Sequence, residues 1–404
     1  MAVTERRYDL YGTSFRADPY AVFEAMRRND PVLRQPGFDG ETMIWFVTRY
    51  EDVAAMLVDE RFVRDPRLAL TREELGPPPP SAIEAIDTHM LNRDGEDHRR
   101  LRRLVTKAFT PRMVEQLRPR IQAIADELLD AVEGRGAMDL SAEYAFPLPI
   151  TVIAEMLGVP IADQDRFRTW SDAIVTPAIA PEELERFFEQ MGEFVAYLQA
   201  LFAERRAEPA DDLISGLLRA RDEGDELSED ELFGTVVLLI VAGHETTAGL
   251  IGNAVLNLLA HPDQLALVRE DPGLLPGAIE ELLRFEGPVE RTLNRWATTD
   301  VEHDGQTIRR GELVILVLNA ADRDPERFPE PDRLDVTRTD LRHLAFGRGS
   351  HYCLGAPLAR LEAEIALETL FRRLPALRLA VRPDELEWRE TPMFRRVVSL
   401  PVSW

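Results

Sequence analysis

The chain has 404 residues, 45% hydrophobic and only 7% aromatic, which is ample apolar material for a large ordinary core. A formal net charge of −24 repels phosphate backbones and argues against nucleic acid as a partner. A single cysteine cannot form an intrachain disulfide, so nothing directs the chain to an oxidising compartment.

No Gly/Ser linker, internal repeat or long charge block divides the sequence, so residues 1–404 are expected to form one domain. The start, MAVTERRYDLYG, lacks an apolar stretch of signal-peptide length. A short helix is expected over 18–29, capped by Asp18 with Pro19 in its first turn. Residues 44–48 read as a strand and 50–59 as a helix. Four prolines, Pro77 to Pro80, make 75–81 an extended surface loop, either a plain connector or a lid. Helical spacing resumes over 98–108, 114–132 and 182–206. The next helix opens on a capping box, Ser228 with Glu231, and runs to Ala260, where His261-Pro262 stops it. At roughly 1.5 Å per residue it is about 48 Å long. Its middle is apolar on every side, so it should be buried on every side. Its most apolar run, 232–243, is too short to cross roughly 30 Å of hydrocarbon, and a membrane-free cytoplasmic protein is expected. After a helix over 277–285, Asp304-Gly305 marks a hairpin turn. Residues 313–318 are β-rich, and a last helix covers 355–374. The expected fold class is mainly α with a small β portion near both ends.

The most informative segment is Phe346-Gly347-Arg348-Gly349-Ser350-His351-Tyr352-Cys353-Leu354-Gly355. Its glycines allow backbone N–H groups to approach the sulfur, and a helix beginning just after Cys353 favours a thiolate there. A lone cysteine is ordinarily a buried structural residue; this spacing at a loop-to-helix junction reverses that expectation.

The segment resembles the haem-binding signature of the cytochrome P450 family, with Phe346, Gly349, His351, Cys353 and Gly355 at the expected positions. The resemblance implies a single-domain P450 fold with a long central helix over the haem, haem b as cofactor, and Cys353 as the iron ligand. It extends to Ala242-Gly243-His244-Glu245-Thr246-Thr247, similar to the family's oxygen groove. There Ala242 and Gly243 leave room for a ligand, and Thr246 and Glu245 relay protons; His244 is a packing residue. Glu281 and Arg284, on one helical face, look like two members of a structural triad with Arg333 as the third. His98 and Arg102, together with Arg295 and His351, are the implied partners of the haem propionates. Arg99, Arg100, Arg103 and Lys107 form a basic patch suited to an acidic electron carrier; Lys107 is the only lysine of the chain.

The implied activity is insertion of one oxygen atom from O2 into a C–H or C=C bond of an apolar or amphipathic molecule. A polyketide, macrolide, terpenoid, steroid or fatty acid would fit. Electrons would come from a separate ferredoxin- or flavodoxin-type protein, with the chain a monomer. Pocket residues are expected from the Pro-rich loop, 163–206, Leu238, Val241, Ala242, 289–293 and Met393-Phe394, with Glu290 paired to Arg291 or Arg295. Two other readings stay open. A non-catalytic haem sensor or carrier would not need Glu245 and Thr246. A haem-free helical binding protein would merely bury Cys353.

Overall fold

Local sequence sets the longest element. Ser228 Oγ accepts the Glu231 N–H at 3.1 Å, Glu231 Oε2 accepts the Ser228 N–H at 2.8 Å, and the central helix runs Glu229–Ala260. The computed structural model describes residues 7–78, 81–175, 181–222 and 227–404. The central helix packs on Ser81–Asp87, Pro147–Leu157, Leu275–Glu286 and Ala356–Arg373. By length and composition it could cross a membrane, so its apolar reach exceeds the 232–243 run; yet 67% of its most apolar window is buried inside the protein. It is the core helix of the molecule.

Other elements sit close to expectation. Asp18 stands just before the helix Tyr20–Asn29 and accepts the Tyr20 N–H at 3.1 Å. The stretch 114–132 divides at Leu117 into Pro111–Gln116 and Arg118–Asp130, the second carrying Pro119 in its first turn. Residues 75–81 are not simply extended: Thr71 and Glu74 form a capping box on a short helix, Arg72–Leu75. Pro79 and Pro80 lie outside the described residues.

Three small sheets complete the fold. The five-stranded one runs, in spatial order, Val32–Pro36, Met43–Val47, Leu313–Leu316, Arg295–Ala297, Phe62–Val63. Only Met43–Val47 and Leu313–Leu316 are parallel within it. In the three-stranded sheet Pro401–Ser403 lies between Ala137–Asp139 and Arg378–Leu379. Ala137–Asp139 had no sequence signal. The hairpin Val301–His303 with Gln306–Ile308 turns through Asp304 and Gly305, both at positive φ (49° and 72°), the conformation an Asp-Gly pair provides.

Candidate functional site

Between Leu232 and Leu258 the central helix is buried except at Leu238, Val241, Ala242, Gly243 and Thr246. The steps from 238 to 242 to 246 set Leu238, Ala242 and Thr246 along one face, a stripe that keeps accessible surface on an otherwise buried helix. Thr246 Oγ1 donates to the Ala242 carbonyl at 2.9 Å and Thr247 Oγ1 to that of Gly243 at 3.4 Å. A Cβ on Gly243 would stand 3.0 Å from Ile153, so its smallness also serves the contact with Pro147–Leu157. His244 packs as expected, its Nδ1 2.7 Å from the Ile240 carbonyl and its ring edge-on to Phe146.

Glu245 is fully buried and held by two arginines. Arg396 meets it at 2.8 and 3.1 Å and Arg389 at 3.1 Å. Burial pushes its carboxyl up, but Arg396, Arg389 and His244 overcome this and hold it below the ordinary value.

Cys353 lies deep in the protein yet keeps accessible surface, as a residue lining an internal recess does. Its N–H donates to the Phe346 carbonyl at 2.9 Å, closing a loop that passes through Gly347 and Gly349 at φ +69° and +76°. A Cβ on Gly349 would meet Val58 at 2.9 Å, so glycine is required there by conformation and by contact. The helix Ala356–Arg373 starts just beyond. Burial pushes the Cys353 thiol up; the N–H groups of Gly355 and Ala356, with Arg102 and Arg360, pull it down without prevailing. The helix terminus and the two arginines thus offset the burial of the sulfur only in part.

Around this loop the histidines and arginines converge unevenly. The His98 and His351 rings lie with centroids 4.3 Å apart, tilted by 41°, and His351 Nε2 lies 3.1 Å from Asp94 Oδ1. Arg295 opens its strand and is buried; one NH donates to the Phe62 carbonyl at 3.0 Å and its Nε has no partner. Arg102 is turned instead onto the cysteine loop, donating to the carbonyls of Ser350 (3.0 Å) and Tyr352 (2.7 Å). Arg360 braces the same loop: it grips Glu280 at 2.6 and 2.7 Å, lies 4.5 Å from the Phe346 ring centroid, and donates to the Tyr352 hydroxyl at 3.3 Å.

Comparison with known proteins decides what this arrangement is. A family model, Cytochrome P450, matches residues 19–389. The chain belongs to the cytochrome P450 family. It is 49% identical over 401 residues to cytochrome P450 107B1 of Saccharopolyspora erythraea, covering 97% of this chain and 96% of that one. It is 44% identical to a vitamin D(3) 25-hydroxylase of Pseudonocardia autotrophica, over 98% and 96% of the two chains. It superposes on the myxobacterial cytochrome P450 CYP267B1, solved with myristic acid, with a TM-score of 0.93 at 46% identity, covering 98% and 99%. The chain is thus an oxygenase of a family that binds haem through a cysteine thiolate.

The residues fit that cofactor. Among the described residues no cluster of three His, Cys, Asp or Glu side chains surrounds a metal site. The chain offers one accessible sulfur, an apolar stripe on the central helix, and a buried cation, Arg295, with an unpartnered N–H suited to a carboxylate.

One structural assignment changes. Arg284 meets Glu281 at 2.7 and 2.8 Å, both side chains fully buried. The third member is Arg338, whose Nε lies 3.2 Å from Glu281 Oε2. Arg333 points to solvent and pairs with Glu330, contributing only its carbonyl to Arg284 (3.4 Å). Sequence reasoning also missed Arg64, Asp94, Glu280, Arg360, Arg389 and Arg396. None lies in a recognisable spacing, although Arg360 and Glu280 each neighbour a motif.

Proposed function

We propose that this P450 is a monooxygenase of apolar or amphipathic small molecules, fed electrons by a separate ferredoxin- or flavodoxin-type protein. The observation that carries this is the open stripe on the central helix, where the apolar surfaces of Leu238, Val241 and Ala242 lead to the Thr246 hydroxyl. The charged residues expected near the pocket are already paired: Glu245 with Arg389 and Arg396, and Glu290 with Arg291. A substrate therefore meets apolar walls and few polar anchors. The vitamin D(3) 25-hydroxylase and the myristic acid complex among its relatives support long apolar substrates. A macrolide, polyketide, terpenoid, steroid or fatty acid fits equally.

In this reading Cys353 is the iron ligand, Arg295 and His98 receive the haem carboxylates, and Arg102 and His351 hold the loop and its neighbours in register. Phe346, Gly349 and Gly355 shape the loop. Bound haem supplies the activation of O2. Thr246, on the open stripe, passes protons into the recess, and Glu245 behind it is the acidic end of the relay. The donor docks on Arg99, Arg103 and Lys107. These are exposed on Gly95–Ala108, the helix whose Arg102 is bonded to the cysteine loop. Arg100 leaves that patch, because it is paired with Glu231. One haem domain over residues 1–404, a monomeric state and a cytoplasmic location complete the reading; the family match over 19–389 supports the first.

The test is the absorption spectrum of the reduced protein under carbon monoxide, followed by turnover of apolar and strongly polar compounds with a ferredoxin. A strongly red-shifted Soret band and oxygenated products from the apolar compounds are expected. The same band without product from any donor would favour a haem sensor or carrier.

A further inference from the structure

Like charges brought close together repel, and this chain holds two in its interior. The strand Phe62–Val63 sets Phe62 against Ala297 and Val63 against Trp296. Arg64 follows Val63 directly, where the strand ends, and is close enough to Arg295 for the two charges to act on each other. Both are buried, at 6% and 4% exposure. Arg64 donates from Nε to the Leu91 carbonyl (3.2 Å), from NH1 to the Asn294 carbonyl, and from NH2 to Asn92 Oδ1 (3.1 Å). Arg295 donates to the Phe62 carbonyl, and its Nε is unpartnered. All these acceptors are uncharged. Among the described residues neither guanidinium is within ion-pair distance of a carboxylate.

The neighbouring acids are engaged elsewhere. Asp94 Oδ2 accepts the backbone N–H groups of Arg64 (2.6 Å) and Asp65 (2.8 Å), and its Oδ1 faces His351 at 3.1 Å. Asp65 is gripped by Arg67. Burial first, then adjacent cations, pushes His89 and His98 down to about 4, so neither adds charge at neutral pH. Buried charge without a counter-ion is costly, and folded chains seldom keep it unless something arrives to balance it.

We infer that Arg64 is a positioning residue of the haem-carboxylate site. With Arg295 it forms a buried positive pair that the two carboxylates of haem neutralise, and it acts through charge, its own N–H groups being taken by the protein. This rests on the haem reading above. Without cofactor Asp94, already shared with His351, offsets the two guanidiniums only in part; with it they hold it.

The experiment compares Arg64→Gln, which removes the charge but can keep a hydrogen bond, with Arg64→Lys, which keeps the charge but breaks the fork. The measurements are the rate of haem transfer from the holoprotein to excess apomyoglobin, and the melting temperature of the apoprotein. R64Q should release haem about tenfold faster than wild type. R64K should stay close to wild type, and apo R64Q should melt no lower than wild-type apoprotein. Equal haem loss in both variants, or unchanged loss in R64Q, overturns the inference. So does an apo R64Q that melts lower or does not fold, for Arg64 is then only a brace. If the wild-type protein itself holds no thiolate-ligated haem, the haem reading has failed, and the inference with it.

Discussion

The carboxylate of Glu245 and the guanidinium of Arg396 meet inside the protein at two points, 2.8 Å from Nε to Oε1 and 3.1 Å from NH2 to Oε2, with none of the carboxylate exposed. The contact ties the middle of the central helix to the C-terminal segment whose Val397 bridges Trp388. Its carboxyl is held below the ordinary value of 4.5, so its stabilisation is present above that pH and is lost as the pH falls through the depressed range. Arg396→Leu should therefore cost about 3 kcal/mol at pH 7, as for any broken buried pair. The deficit should shrink at acid pH as Glu245 takes up a proton. Urea unfolding at pH 7 and pH 4 measures both; an equal deficit at each would mean that packing, not charge, holds the segment.

Thr246 donates to the carbonyl of Ala242 while keeping accessible surface. Thr246→Ala removes the hydroxyl and leaves the helix intact, so the carbon monoxide spectrum should not change. Product formed per O2 consumed should fall by about a hundredfold, the lower range for a positioned proton carrier. Unimpaired coupling would assign proton delivery to another group.

Lys107 is the chain's only side-chain amine and sits exposed on the helix beside the cysteine loop. Mild acylation should label it and the N-terminus, and should slow reduction by an acidic ferredoxin at low salt by about tenfold. Reduction by dithionite should be unaffected. Arg103→Glu with Lys107→Glu should do the same and flatten the salt dependence. Unchanged rates in the double variant would make the patch a solubilising surface.

Asp322 is buried with its Oδ1 accepting the Leu344 N–H at 2.8 Å, two residues before Phe346. Burial pushes its carboxyl up to about 7 against the opposing pull of His343, Leu344 and Arg284. The folded chain thus binds this proton more tightly than the unfolded one. Its contribution is full below the ordinary carboxylate value and is lost as pH rises towards about 7. Asp322→Asn keeps the acceptor without the charge. It should flatten the pH dependence of stability between pH 4 and 7 and make the variant the more stable at pH 8. A variant that unfolds more readily at every pH would show that the carboxyl has a partner beyond Leu344.

Much of the site was readable because its parts are local. The capping box at Ser228 and Glu231, the cysteine loop and the Glu281–Arg284 pair each depend on neighbours within a few residues, where spacing is geometry. What escaped was set by distant chain. Glu245 finds Arg389 and Arg396 across separations of 144 and 151 residues. Arg338 replaces Arg333 because the turn between them aims one side chain inward and the other at solvent. The approach of Arg64 to Arg295 exists only once two short strands pair.

Met43–Val47 finds its parallel partner only in Leu313–Leu316, and Ala137–Asp139 waits for Pro401–Ser403. A ribosome delivering about 5–20 residues per second therefore leaves the central helix without Ala356–Arg373 for roughly ten seconds. During that interval a 32-residue apolar rod stands half covered. Recovery of this protein from an expression host should thus depend less on how stable the finished fold is than on what shields that rod while translation catches up, so slower initiation, cooling or more chaperone should raise the soluble fraction before any stabilising mutation does.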